Sequence, residues 1–164
     1  MNFILFALAF AAGSAISVQA AVNSQLAGGL GGNVVAAGLV SFAIGTAALA
    51  AIAIGKGGLA AAIASVPSQP VWRFAGGLLG AGAIFCTVLL APRIGLANML
   101  ALVIAGQLLS SLAIDHFGLV GVVTRQVSAV KLAGAFVMLI GVSITLFGNS
   151  LSLISEQLHR WLYG

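Results

Sequence analysis

Acid is nearly missing from this chain: Asp115 and Glu156 are the two carboxylates in 164 residues, against six Lys and Arg. Paired-carboxylate catalysis and acidic metal clusters are therefore excluded. Charge of either sign makes up 5% of the chain, where a soluble domain carries about 25%, so a water-facing surface cannot be built. Cys86 is the single cysteine, which excludes an intrachain disulfide. His116 and His159 lie in separate segments, and neither a metal nor a cofactor is expected. The formal charge of +4 invites a nucleic-acid reading. Its cations (Lys56, Arg73, Arg93, Arg125, Lys131 and Arg160) are scattered rather than clustered on one face, and no nucleic acid is expected.

What the chain has in excess is apolar length. Hydrophobic residues reach 62% and gather in runs over about residues 3–22, 34–54, 72–91, 96–114 and 127–147. A hydrocarbon core about 30 Å thick needs about 20 such residues per helix. Backbone groups at that depth must be satisfied internally, and runs without alternation predict helices rather than barrel strands. The expected fold is an all-α, polytopic membrane bundle of five transmembrane helices, residues 1–148. Val18-Gln19-Ala20-Ala21 loosely imitates a signal-peptidase site, yet no Lys or Arg precedes it as a secretory signal requires. The first run is read as a span.

Breaks between spans fall at Gly28-Gly29 and Gly31-Gly32, at Gly57-Gly58 with Pro67-Ser68-Gln69-Pro70, at Pro92-Arg93-Ile94-Gly95, and from Asp115 to Gly118. Small residues form stripes at helical spacing: Gly38, Ser41 and Gly45; Gly76, Gly80, Ala83 and Thr87; Gly134, Met138, Gly141, Thr145 and Gly148. Such stripes let helices approach closely in lipid, and packing is their expected role. With the N-terminus inside, Lys56, Arg73, Arg125 and Lys131 are cytoplasmic while Arg93 and Arg160 are outside. This positive-inside bias is weak and leaves room for copies inserted both ways and paired antiparallel. Residues 149–164 carry Leu151, Ile154, Leu158 and Trp161 on one line, which predicts an amphipathic interfacial tail.

Polar groups inside a membrane are costly and face the bundle or a cavity. Gln107, Ser111 and Asp115 follow at i, i+4 and i+8 on the fourth span, with Gln107 near its middle; Gln19 and Asn23 share one turn near the outer end of the first. Amides both donate and accept, so Gln107, Gln19, Asn23 and Ser111 are the candidate substrate contacts, with interhelical bonding as the rival role. Asp115 ends its span; pairing with Arg125 or Lys131 at the membrane boundary competes with a coupling or gating role for Asp115 and Arg125. No carboxylate lies near a span centre, so the proton-exchange engine of small multidrug antiporters is absent.

Several runs together are recognisable. Gln19-Ala20-Ala21-Val22-Asn23, Ser41-Phe42-Ala43-Ile44-Gly45-Thr46, Trp72 to Ala81, Pro92-Arg93-Ile94-Gly95 and Gly106 to Gly118 resemble the YdcZ-like family. This is a small five-helix branch of the drug/metabolite transporter superfamily, catalogued as inner-membrane exporters of bacteria. The resemblance covers roughly residues 5 to 148. It implies that the chain is one half of an inverted-repeat transporter, working as an antiparallel homodimer or with a paired homologous subunit. It implies alternating access, with substrate held between the halves. The tail departs from the pattern, since such chains often stop soon after the fifth span.

The leading expectation is a secondary transporter of a small polar or amphiphilic metabolite. A dual-topology dimeric channel would need a continuous polar lining, whereas strong polar groups near the interior occur in two of the spans. A non-transporting accessory subunit would pair all its polar groups. No nucleophile and base stand within reach, so an enzyme is not expected.

Overall fold

Uncharged runs of Ala, Leu, Val and Ile at bilayer depth satisfy their backbone by forming helices, and in a computed structural model of the chain the described residues form six α-helices, one of them short. It describes the backbone of residues 3–163 and the side chains of residues 3–148. The helices are α1 (Phe3–Gly29), α2 (Val34–Lys56), α3 (Leu59–Ser65), α4 (Ala75–Ile94), α5 (Leu96–Phe117) and α6 (Ala129–Tyr163). Among the described residues, five stretches are long and apolar enough to cross a membrane: Phe3–Gly29, Val34–Lys56, Val71–Ile94, Leu96–Phe117 and Ala129–Gly148. The described residues contain no strand. The protein is an all-α, multi-pass membrane protein.

Several boundaries differ from the expected runs for local reasons. α1 continues past Val22 to Gly29, because Asn23, Ser24 and Gln25 are polar but do not break a helix. The break comes where Gly31 and Gly32 take φ of 69° and 83°, a conformation that L side chains resist. Asn33 then caps α2, its Oδ1 accepting from the Ala36 N–H at 2.9 Å. The segment after Lys56 is more ordered than a plain loop: α3 is followed by 3-10 turns at Val66–Ser68 and Val71–Phe74. Arg73 donates to Gln69 Oε1 at 2.6 Å, and its guanidinium lies 5.6 Å from the Trp72 ring centroid. α4 runs through Pro92, and Gly95 at φ 83° ends it. The expected turn there is the last turn of the helix plus one residue.

The chain packs as two compact units, Met1–Leu96 and Ala97–Gly164. In the first, α1, α2 and α4 pack against one another pairwise. Their shared core is Ala27, Ala37 and Val88, bordered by Leu26, Val34 and Ile84. Gly38 faces Ile84 and Gly80 faces Phe42, where an added Cβ would lie 3.6 Å and 3.8 Å from the neighbour. Backbones here come close because the side chains are small, which is what holds helices together when lipid is as apolar as leucine. Within this unit the buried residues of α1 and α2 (Ala20, Asn23, Ala27 and Ala37) lie toward the turn at 30–33, and α1 is exposed from Phe3 to Ile16.

Within this chain only part of the small-residue stripes meets a neighbouring helix. Gly45 and Gly76 face open space, as do Gly134 and Gly141 of α6. Periodicity alone places a stripe on a face; a second helix must then reach it.

The second unit comprises α5, the connection 118–128 and α6. The backbone of α6 passes residues 148–149 without interruption; the side chains of the proposed amphipathic tail lie outside the described residues. Gly118 ends α5 in the left-handed conformation, followed by a turn at Leu119–Gly121 in which Val120 has φ 57°. Val120 is the single non-glycine residue with positive φ among the described residues, a strain of about 1–3 kcal/mol. Val120→Gly is therefore expected to raise thermal stability in detergent by about 1 kcal/mol. Gly118→Ala should lower it, since its φ is +62° and its new Cβ would collide with Thr124 Oγ1. Thermal unfolding followed by circular dichroism checks both signs.

Candidate functional site

Because α1 extends to Gly29, Asn23 lies inside the helix rather than beyond its end. It is 4% exposed and the one buried polar residue among those described. Its amide forms no hydrogen bond to another described residue. No described side-chain nitrogen or oxygen is both sealed from solvent and unpaired, so the Asn23 amide tip keeps a sliver of open contact. Gln19, one turn earlier on the same face, is exposed. The hydroxyls deeper in α1 are already occupied: Ser14 donates to the Phe10 carbonyl at 3.0 Å and Ser17 to the Gly13 carbonyl at 3.2 Å.

The remaining candidates belong to the second unit. Gln107 is exposed near the middle of α5, and Ser111 follows on the same stripe. The Ser111 hydroxyl donates to the Leu108 carbonyl at 2.9 Å, which leaves its oxygen free to accept. Gln107 thus keeps its full complement of donors and acceptors while Ser111 has given up its proton locally. The structure groups Gln19 with Asn23 in one unit, and Gln107, Ser111, Asp115 and Arg125 in the other.

Asp115 and Arg125 are joined through the backbone. The Arg125 N–H donates to the Asp115 carbonyl at 2.7 Å, across the connection that follows α5. Asp115 is half-buried in the last turn of α5 and Arg125 is exposed. A residue that sequence reasoning passed over joins them: His116 Nδ1 accepts from the Val127 N–H at 3.3 Å. With Nδ1 accepting, the ring hydrogen is on Nε2, a donor pointing away from the Val127 N–H. Its ring also packs edge-on against Phe117 at 4.8 Å between centroids. Adjacency to Asp115 at a span end was the available signal.

The electrostatic character is simple. Lys56, Arg73, Arg93, Asp115, Arg125 and Lys131 all lie at or beyond helix ends, so the membrane-spanning interiors hold amides and hydroxyls but no fixed charge. Cys86 is exposed in α4. No group of His, Cys, Asp and Glu among the described residues could hold a metal ion.

Residues 4–144 match a family model described as "Putative inner membrane exporter, YdcZ". No curated protein and no solved structure matches the chain.

Proposed function

This chain belongs to the YdcZ family of inner membrane exporters, and from that premise we propose a secondary transporter, not an enzyme, that moves a small polar or amphiphilic metabolite by alternating access. It is a multi-pass protein of the inner membrane. The observation that carries the reading is Asn23: a buried amide with no partner among the described residues, in a medium where an unsatisfied polar group is expensive. A solute that accepts from and donates to amides satisfies it. Gln19 on α1, and Gln107 and Ser111 on α5, are the further amides and hydroxyl assigned to solute contact within their own units. Because no fixed charge lies at span depth, recognition proceeds by hydrogen bonds and a permanently cationic solute is disfavoured.

The working unit in this reading is a dimer, antiparallel between two copies or between this chain and a homologous subunit, each chain being one half of an inverted repeat. A gating or coupling role is assigned in this reading to Asp115 and Arg125, whose backbones are hydrogen-bonded at one end of α5. Two Lys inserted in the turn at 30–33, clear of Asn23, shift the charge bias and lock insertion in one orientation. Purified, locked protein reconstituted alone should lose transport, and mixing it with oppositely locked copies should restore it. Full activity of one orientation by itself ends the antiparallel reading.

A further inference from the structure

Between the last two turns of α5 and the first three of α6 lies an open groove of about 460 Å³. Its walls are Leu109, Leu112, Leu132, Ala135, Phe136 and Leu139, and its polar end is His116. We propose that this groove binds one anionic phospholipid of the surrounding leaflet, an acyl chain between the helices and the headgroup at His116, Arg125 and Lys131.

Depth supports a lipid chain. From His116 to Leu109 on α5, and from Leu132 to Leu139 on α6, the rise is about 10 Å at 1.5 Å per residue. That is most of one leaflet of a core about 30 Å thick. The groove starts at the membrane boundary, where α5 ends at Phe117 and α6 begins at Ala129. Beyond Leu139 the apolar depression is lined by α6 alone, through Ile140, Ser143, Ile144 and Phe147. The two-walled part of the groove thus spans about one leaflet, the depth that an acyl chain occupies.

Chemistry at the polar end fits a phosphodiester. His116 Nδ1 is occupied by the Val127 N–H, so its outward Nε2–H is a donor for a phosphate or ester oxygen. Arg125 is fixed at this level by its backbone bond to Asp115. Lys131 sits in the first turn of α6, its own N–H donating to the Ser128 hydroxyl. Two exposed cations against the single half-buried carboxylate of Asp115 leave the end positive. Basic residues between membrane helices at the interface attract anionic headgroups.

Native mass spectrometry of the purified full-length protein tests this, with phosphatidylglycerol and phosphatidylethanolamine of identical acyl chains as probes. Wild type should retain phosphatidylglycerol preferentially. The double variant Arg125→Gln with Lys131→Gln should bind it roughly thirtyfold more weakly, about fivefold per cation. Leu112→Trp, which fills the groove without touching charge or insertion bias, should lower retention of both lipids. Equal retention of the two lipids by wild type overturns the proposal, as does wild-type retention by Leu112→Trp. Leu112→Cys in a Cys86→Ser background gives the remaining outcome: efficient disulfide-linked dimers in membranes would mean that a second copy covers the groove and the lipid does not.

Discussion

Leucine in place of Gln107 is expected to cut transport more than tenfold while leaving expression and thermal stability close to wild type. Gln107 is exposed on α5 and its amide bonds no other described residue, so within this chain the substitution removes no helix contact. Removing a membrane hydrogen bond costs about 0.6–2 kcal/mol even where one is present. A solute held by both the donor and the acceptor of this amide loses two bonds at once. At about 1 kcal/mol each, and with the apolar replacement unable to substitute for either, uptake into reconstituted vesicles should fall more than tenfold. Asn23→Leu makes a companion with a contrasting environment. Asn23 is buried, so an apolar replacement of similar volume relieves a desolvated amide and should hold or raise stability while transport falls. Normal transport by Gln107→Leu, or failure only through misfolding, returns that amide to a structural role.

The largest effect on stability is expected at Ala37, which has no exposed surface. It stands where α1, α2 and α4 meet, with Ala27 and Val88 as neighbours in the core. Ala37→Leu adds three carbons at a point where the backbones approach on account of small side chains. Overpacking of a tight core costs about 1–3 kcal/mol, and here the alternative is separation of α2 from both partners. Thermal unfolding of the detergent-solubilised variant should show a clear drop in Tm, and Ala37→Gly should not reproduce it by the same route. An unchanged Tm for Ala37→Leu would mean that the three helices do not meet at this residue. Transport in any surviving fraction is a separate readout, since Ala37 carries no polar group.

Five spans were legible in the linear chain because membrane insertion is decided by local apolar length, and helix formation in lipid satisfies each backbone within its own segment. The family resemblance was legible for a similar reason, since its motifs are short contiguous runs such as Gly106 to Gly118. Span ends were less legible. Asn23 reads as a terminus in composition, yet the helix continues until glycine geometry stops it at Gly31 and Gly32. Within the candidate site, the shared faces of Gln19 with Asn23 and of Gln107 with Ser111 follow from helical spacing alone. That Asn23 is buried and Gln19 exposed does not, because burial depends on where α2 and α4 lie.

The sequence by itself thus determined that the chain is an all-helical membrane protein with uncharged span interiors, and it marked the amides that could meet a solute. Only the tertiary structure decided which small residues become contacts: Gly38 and Gly80 meet a neighbouring helix while Gly134 and Gly141 do not. It also joined Asp115 to Arg125 and His116 to Val127 across a connection whose residues carry no pattern of their own. The reason is physical. In water, apolar periodicity announces which face will be covered, because exposure is penalised. In lipid both faces are equally comfortable, and contact is settled by close approach and shape, which a one-dimensional pattern does not contain.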